Sequence, residues 1–194
     1  MTIFANDLRK TYLSTTSGRS PSPSSSTKEA VEDLPSIDIG VTKHPIFVDK
    51  ASAIETSGFY PPHTTQVHLT GYDTLIRILN PKYYPPTHTL APLEPFLSKH
   101  RLRVTYRTDS DWGGRAEQEA YLKALADGGR EAEGGRREWA GRIELVEGRK
   151  EGEEIVSSTR VRETVKSGDR DMLRKLVSEG VADWVLQEGL YMDD

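Results

Sequence analysis

The sequence predicts an α/β fold in which helices flank a mostly parallel sheet. Three short apolar runs have the composition of strands, and a segment with helical periodicity follows each one; the strands are predicted at residues 65–70, 102–107 and 142–147. Strands that alternate with helices in this way favour parallel pairing, because each helix carries the chain back to the edge at which the next strand begins.

Six helices are predicted between and after these strands, at residues 72–79, 90–99, 118–126, 158–166, 171–177 and 181–187. Asn80-Pro81 stops the first of them, because the residue before a proline avoids helical geometry. In the last helix, Trp184 has helical spacing with Val181 and Val185, so we expect it to lie in the core.

The first 36 residues are predicted to lie outside this fold. Residues 1–13 have the apolar spacing of the end of an amphipathic helix, and residues 14–26 form a Ser- and Pro-rich tract. Such a tract buries too little apolar surface to offset the entropy of ordering it, so we expect it to be disordered. The predicted organisation is therefore a short helix with a disordered segment over residues 1–36, followed by a folded domain over residues 37–194.

Composition excludes several classes of protein. The 194 residues are 35% hydrophobic and 29% charged, with a formal net charge of -4. This charge offers no general basic field for a nucleic-acid backbone, and the absence of cysteine excludes disulfides and zinc–thiolate sites. No apolar run approaches the roughly 20 residues that span a bilayer, and no secretory leader is recognisable. The histidines lack metal-ligand spacing, so we expect no protein-held metal. From the charge, the apolar runs and the N-terminal sequence, we expect a cytoplasmic or nuclear protein with no nucleic-acid or membrane partner.

The strongest local motif is the run Val156-Ser157-Ser158-Thr159-Arg160-Val161-Arg162. Its hydroxyl residues are typical helix caps, and the free N–H groups of a first helical turn, together with the helix dipole, favour an anion. Arg162 lies four residues after Ser158, so both side chains share one helix face, whereas Arg160 must point elsewhere. Val161 and Val165 are expected on the buried side. An ordinary capped surface helix remains the alternative at this point.

The run from Val156 to Arg162 resembles the I-S-S-T-x-I-R signature of the HIGH-type nucleotidyltransferases, especially nicotinamide- and nicotinate-mononucleotide adenylyltransferases. Two further stretches resemble motifs of the same family, and they occur in the order along the chain that the family has. Residues 69–75 (LTGYDTL) resemble the strand-end G-x-D of that family, and residues 181–191 resemble its closing helix. The fungal branch also shares residues 38–45 and the run from Gly71 to Tyr84. The likeness covers residues 37–191 and implies a Rossmann-like sheet.

The resemblance implies the transfer of AMP from ATP to nicotinamide mononucleotide, which gives NAD and pyrophosphate. It assigns the ATP ribose to Gly71 and Asp73, and the ATP phosphates to Ser157, Ser158, Thr159 and Arg162. It also implies Mg²⁺ carried in with ATP. Two alternatives stay open: a non-catalytic nucleotide-binding or interaction module descended from the family, and a cytidylyltransferase of the same superfamily.

The catalytic residues cannot be assigned, because the family's first strand and its H-x-G-H turn have no counterpart before Ile37. A tempting substitute is His63, which follows Gly58 and Pro61-Pro62, together with His68. We reject it because no apolar strand precedes it and because residues five apart on a helix point in different directions. His68 is instead predicted to be a strand residue. An incomplete gene model, an alternative start and a degenerate copy would each explain the missing segment.

We therefore expect residues 1–194 to form NAD at a very low rate. Losing even one well-placed donor to the transferred phosphoryl group costs on the order of a hundredfold in rate. A coupled assay for NAD formation from ATP and nicotinamide mononucleotide measures this. Robust turnover would refute our rejection of His63 and His68, and substitution of each would then locate the catalytic histidine.

Overall fold

The computed structural model describes residues 1–17, 36–107, 112–148 and 156–192, and the structural statements below concern these residues. They form two units, Thr42–Glu151 and a second unit that combines Met1–Val41 with Gly152–Asp194. The described residues include eight α-helices and three strands: α1 Thr2–Ser17, α2 Phe47–Thr56, β1 Val67–Gly71, α3 Tyr72–Ile78, α4 Glu94–Leu97, β2 Arg101–Thr105, α5 Arg115–Ala126, β3 Ile143–Val146, α6 Ser158–Ser167, α7 Arg170–Leu176 and α8 Glu179–Gln187.

The three strands form one sheet in the order β1-β2-β3, and both pairs are parallel. His68 pairs with Leu102, which in turn pairs with Ile143, so these residues lie on one face of the sheet. The predicted α/β fold with a parallel sheet is confirmed. Each strand is one or two residues shorter than its apolar run, which is the usual uncertainty of such boundaries.

The sheet has one buried face and one exposed face. Leu102 and Val104 of β2 are fully buried among the side chains of α3, α4 and α5. On the opposite face, Leu69 is 77% exposed and lies beside Arg103 across the β1–β2 pair. This alternation follows from the pleat of a strand, which directs successive side chains to opposite faces.

Prolines change the predicted helix at residues 90–99. The structure has a 3₁₀ turn, Ala91–Leu93, followed by the one-turn helix α4. Pro92 and Pro95 lie at the beginning of the turn and of the helix, where their missing N–H groups are tolerated. A single regular helix over residues 90–99 is therefore wrong, although Phe96 and Leu97 of α4 still enter the core.

In the second unit, α6, α7 and α8 pack around Val165, Leu173, Ala182 and Val185, and α1 packs against α8. The carboxylate of Asp7 on α1 accepts a hydrogen bond of 3.0 Å from the Gly180 N–H on α8. A Cβ at position 180 would lie 2.8 Å from that carboxylate, so the close approach of α1 requires glycine.

Two sequence expectations fail in this unit. Helix α1 continues to Ser17, because the Ser14 and Thr15 hydroxyls donate to the Thr11 carbonyl and support the helical turn. The helix thus extends four residues beyond its predicted end at residue 13, and the predicted disorder of the tract stays a prediction, because residues 18–26 lie outside the described part of the chain. Trp184 is 43% exposed and lines a groove of about 480 Å³ between α1 and α8, because Val185 fills the buried side of α8 instead.

Two histidines contact the apolar core beside β1: His68, which is a half-buried residue of β1, and His100, which directly precedes β2. His100 is 2% exposed, and its Nδ1 accepts a hydrogen bond of 3.2 Å from the Gln66 N–H. The ring of His68 packs against the rings of Phe47 and Phe96. Burial lowers the pKa of both histidines; neighbouring His100 and Lys50 lower the pKa of His68 further, whereas Glu55 partly offsets the shift at His100.

We expect the sheet unit to lose stability as the pH falls below about 6.5, the ordinary pKa of histidine. The unfolded chain then binds protons that the folded chain, with its lowered histidine pKa values, does not, so the free energy of unfolding decreases until the folded pKa is passed. Urea unfolding at pH 7.5 and pH 5.0 measures the change. The pH dependence should be weaker in His68→Leu and unchanged in His88→Gln, which alters an exposed histidine. Equal pH dependence in all three chains would contradict this expectation.

Candidate functional site

Gly71 lies at the carboxyl end of β1, where it is also the N-cap residue of α3. A Cβ at this position would lie 2.6 Å from Asp73 Oδ1 and 3.2 Å from Arg107 Nε, so a larger residue would displace both side chains. The structure therefore gives a reason for glycine within the chain itself, beside the nucleotide approach that the resemblance implies.

Asp73, in the first turn of α3, forms an ion pair with Arg107, which follows β2. Arg107 Nε donates to Asp73 Oδ1 at 2.8 Å; the aspartate side chain is 17% exposed and the arginine side chain 43% exposed. Burial by itself would raise the pKa of Asp73, but the hydrogen bond and the charge of Arg107 outweigh it, and the pKa lies below its usual value. Asp73 is therefore a carboxylate at neutral pH.

The main chain of Arg107 is held by a fully buried side chain, Gln118 of α5. Gln118 Oε1 accepts a hydrogen bond of 3.1 Å from the Arg107 N–H, and Gln118 Nε2 donates to the carbonyls of Arg107 and Gly113. One amide group thus satisfies both main-chain groups of Arg107. Neutral amides suit this position, because the amide carries one acceptor and two donors.

In the other unit, α6 has an exposed, capped N-terminus. Ser157 is the N-cap residue, and its Oγ accepts a hydrogen bond of 3.1 Å from the Arg160 N–H. Arg162 Nη2 donates to Ser158 Oγ at 3.3 Å, so the two residues do share one helix face, as predicted. Ser158, Thr159 and Arg162 are exposed to solvent. Helix dipole, free N–H groups and guanidinium together form an environment suited to an anion.

Arg160 lies on a different side of α6. Its Nη2 lies 3.8 Å from Met172 Sδ on α7, and its side chain is partly buried. Val161 is partly buried and Val165 is fully buried, which confirms the predicted apolar side of this helix. The strand that the sequence predicts before the motif, at residues 142–147, is β3 in the structure. Residues 149–155, between this strand and the motif, lie outside the part of the chain that the structure describes.

The predicted site residues form two groups. Gly71 and Asp73 lie together in the sheet unit, and Ser157, Ser158, Thr159 and Arg162 lie together at the beginning of α6 in the other unit. Their assignment to parts of ATP stays a prediction.

The two rejected histidines occupy different settings. His63 is an exposed turn residue with a positive φ of 66°. His68 is half-buried in β1, which confirms the strand position predicted for it. A short helix, α2, precedes them in place of a strand.

Sequence reasoning did not identify Arg107 and Gln118. The sequence predicts Arg107 as the last residue of a strand and Gln118 as the first residue of a helix. A sequence carries no signal for the pairing of Arg107 with Asp73, because 34 positions separate them. Parallel pairing of β1 and β2 places both at the carboxyl edge of the sheet, where helix-flanked sheets bind their ligands.

Within the described residues, no group of three or more histidine, aspartate or glutamate side chains is arranged to hold a metal ion. The described helices include none with the length and apolar character needed to cross a membrane.

A curated protein of Schizosaccharomyces pombe is similar to this chain. It is named "Putative nicotinamide mononucleotide adenylyltransferase" and is 31% identical over 145 residues. The aligned residues make up 75% of this chain and 56% of the relative, so the chain spans little more than half of the relative's length. No protein-family model and no solved structure matches the sequence. The similarity confirms the resemblance predicted from the motifs.

We expect Ser157→Ala to weaken the first turn of α6 by about 1 kcal/mol, the usual cost of removing a helix cap. Hydrogen exchange at the Arg160 amide, which donates to Ser157 Oγ, measures this locally; protection should fall roughly fivefold. Ser158→Ala is the matched control, because its hydroxyl contacts Arg162 rather than capping the helix. Equal loss of protection in both variants would contradict the assignment of Ser157 as the cap.

Proposed function

We propose that this nicotinamide mononucleotide adenylyltransferase-like chain takes part in the transfer of AMP from ATP to nicotinamide mononucleotide, which gives NAD and pyrophosphate. The observation that carries the proposal is the 31% identity to the Schizosaccharomyces pombe protein, whose name states this activity. The capped helix α6 and the carboxylate at the edge of the sheet support it by their chemistry.

The beginning of α6 suits the phosphates of ATP. The first turn has N–H groups without helical partners, and the positive end of the helix dipole favours negative charge there. Arg162, one turn further along, adds a guanidinium that can form two parallel hydrogen bonds with a phosphate. Ser158 and Thr159 add hydroxyl groups on the exposed surface. We assign Ser157, Ser158, Thr159 and Arg162 to phosphate binding on these grounds.

The carboxyl edge of the sheet suits the ribose. Asp73 is held as a carboxylate by Arg107, and a carboxylate accepts hydrogen bonds from the hydroxyls of a sugar. Gly71, at the same strand end, has no Cβ to displace the Asp73 carboxylate or the Arg107 guanidinium, so it keeps the carboxylate in place at this edge. We assign Gly71 and Asp73 to the ribose of ATP.

Mg²⁺ in this proposal arrives with ATP and supplies positive charge to the triphosphate, a role it performs with few protein ligands. The contribution of the chain is to position the nucleotide and to stabilise charge, which accounts for most of the catalysis of phosphoryl and nucleotidyl transfer. Arg162 and the N–H groups of α6 supply that charge stabilisation in the described part of the chain.

The first test of the proposal is nucleotide binding by residues 1–194. Equilibrium dialysis with labelled ATP and Mg²⁺, followed by competition with unlabelled CTP, measures affinity and base preference. We expect binding of ATP with weaker competition by CTP. Tighter binding of CTP would favour cytidylyl transfer, and absence of ATP binding would overturn the assignment of a nucleotide site.

We expect Arg162→Ala to reduce ATP affinity by about tenfold or more, the effect of losing one hydrogen-bonded charge. Arg160→Ala is the matched control, because its side chain contacts Met172 on α7 and lies off the Ser158 face. Equilibrium dialysis compares the two variants, with circular dichroism to check that α6 remains folded. An equal or larger loss in Arg160→Ala would exclude Arg162 as the phosphate-binding arginine.

A further inference from the structure

The guanidinium of Arg107 and the carboxylate of Asp73 meet at a fixed geometry. Nε is 2.8 Å from Oδ1, and Gly71 leaves the space in which the guanidinium lies, since a Cβ there would be 3.2 Å from Nε and 3.3 Å from Nη2. The second carboxylate oxygen, Oδ2, lies 3.5 Å from Thr74 Oγ1, at the long limit of a hydrogen bond. Oδ2 can therefore accept a stronger bond from a ligand.

The main chain beneath this arginine is fixed from the core. Gln118 is fully buried and binds both the N–H and the carbonyl of Arg107. The carbonyl of Gly113 is its third partner, at 3.1 Å. A buried amide with such partners has one orientation, because any rotation leaves a polar group unsatisfied in the core. The arginine side chain thus extends from a main chain that cannot easily shift.

We propose that Gln118 and Arg107 are positioning residues that set the orientation of the Asp73 carboxylate and so determine how strongly the chain selects a ribose with hydroxyls over a 2′,3′-dideoxyribose. This inference rests on the proposed function, since it takes the nucleoside part of ATP to bind at Asp73. Arg107 acts through Asp73 and has no assigned contact with the reacting atoms.

The geometry favours an arginine as the residue that donates to Asp73 Oδ1. The planar guanidinium donates through Nε in a fixed direction, whereas the ammonium of lysine is a flexible point charge. With Oδ1 occupied, the rotation of the carboxylate about its χ2 angle is restricted, and Oδ2 has one direction in which to accept. A ligand hydroxyl then finds an oriented acceptor and does not have to order it, which increases affinity by pre-organisation.

An oriented Asp73 carboxylate should make the chain prefer ATP to 2′,3′-dideoxy-ATP, which lacks the ribose hydroxyls. A hydrogen bond to a charged group contributes about tenfold or more to affinity, so the wild-type chain should bind ATP at least tenfold more tightly than 2′,3′-dideoxy-ATP. In Arg107→Ala, the free carboxylate can rotate and hydrate, and this ratio should fall towards one. Affinity for 2′,3′-dideoxy-ATP should change by less than about threefold, because that ligand lacks the hydroxyls. A merely structural role for Arg107 would lower both affinities together.

The experiment measures dissociation constants of ATP and 2′,3′-dideoxy-ATP, each with Mg²⁺, for residues 1–194 by equilibrium dialysis. The variants are Arg107→Ala, Arg107→Lys and Gln118→Ala, and Arg103→Ala is the matched control. Arg103 is an exposed arginine of the same region whose Nε lies 3.8 Å from Glu144 on β3. We expect the ratio to be preserved in Arg103→Ala, partly preserved in Arg107→Lys and lost in Arg107→Ala. Gln118→Ala should lower the ratio as well. If the Gln118→Ala variant unfolds, the Arg107 variants test the proposal, because the Arg107 side chain is exposed and its replacement leaves the core intact.

The outcomes separate this inference from the proposed function. A wild-type chain that binds ATP with a high ratio, together with an Arg107→Ala variant that keeps the ratio, would overturn the positioning role and leave the proposed function standing. A wild-type ratio near one would overturn the inference by removing the ribose from Asp73, while ATP binding itself still supports a nucleotide site. A wild-type chain that does not bind ATP would overturn both.

Discussion

The parallel pairing of β2 with both of its neighbours is the constraint on which the sheet unit depends. It places the carboxyl ends of β1 and β2 side by side, and with them Gly71 and the residues that follow each strand. It also directs Leu102 and Val104 to one face, where three helices cover them. The same arrangement that builds the core thus brings Asp73 within hydrogen-bonding distance of Arg107.

Two buried polar side chains fix the position of the main chain at strand ends, which apolar packing alone would leave variable. Gln118 and His100 are buried, and each forms a hydrogen bond with the main chain of a segment next to a strand. Gln118 holds the chain after β2, and His100 holds the chain before β1. Apolar side chains tolerate small shifts, but an unpaired buried amide or imidazole costs free energy, so these bonds restrict the strand ends. The two bonds restrain opposite ends of neighbouring strands, the beginning of β1 and the end of β2.

The two groups of candidate residues differ in how far the sequence could predict them. The N-terminus of α6 is a local structure: Ser157 caps, Arg162 returns to Ser158 one turn later, and helical spacing is enough to predict both contacts. The site at Asp73 depends on a partner far away in sequence, and so does the clamp by Gln118. Trp184 shows the same limit, because helical spacing identifies an apolar side of α8 but not which residue of that side another helix covers.

The sequence by itself determined the order of the strands, most of the helices that follow them, the parallel sheet, the capped helix with its arginine and the resemblance to the adenylyltransferases, whereas it did not predict α2. These features depend on spacing within a few residues, where periodicity, prolines and caps act directly. The tertiary structure decided which ion pair orients Asp73, which amide holds Arg107, and which side chains each helix leaves exposed. Those contacts join residues whose distance along the chain carries no information about their distance in space, and only the packed sheet and its helices specify them.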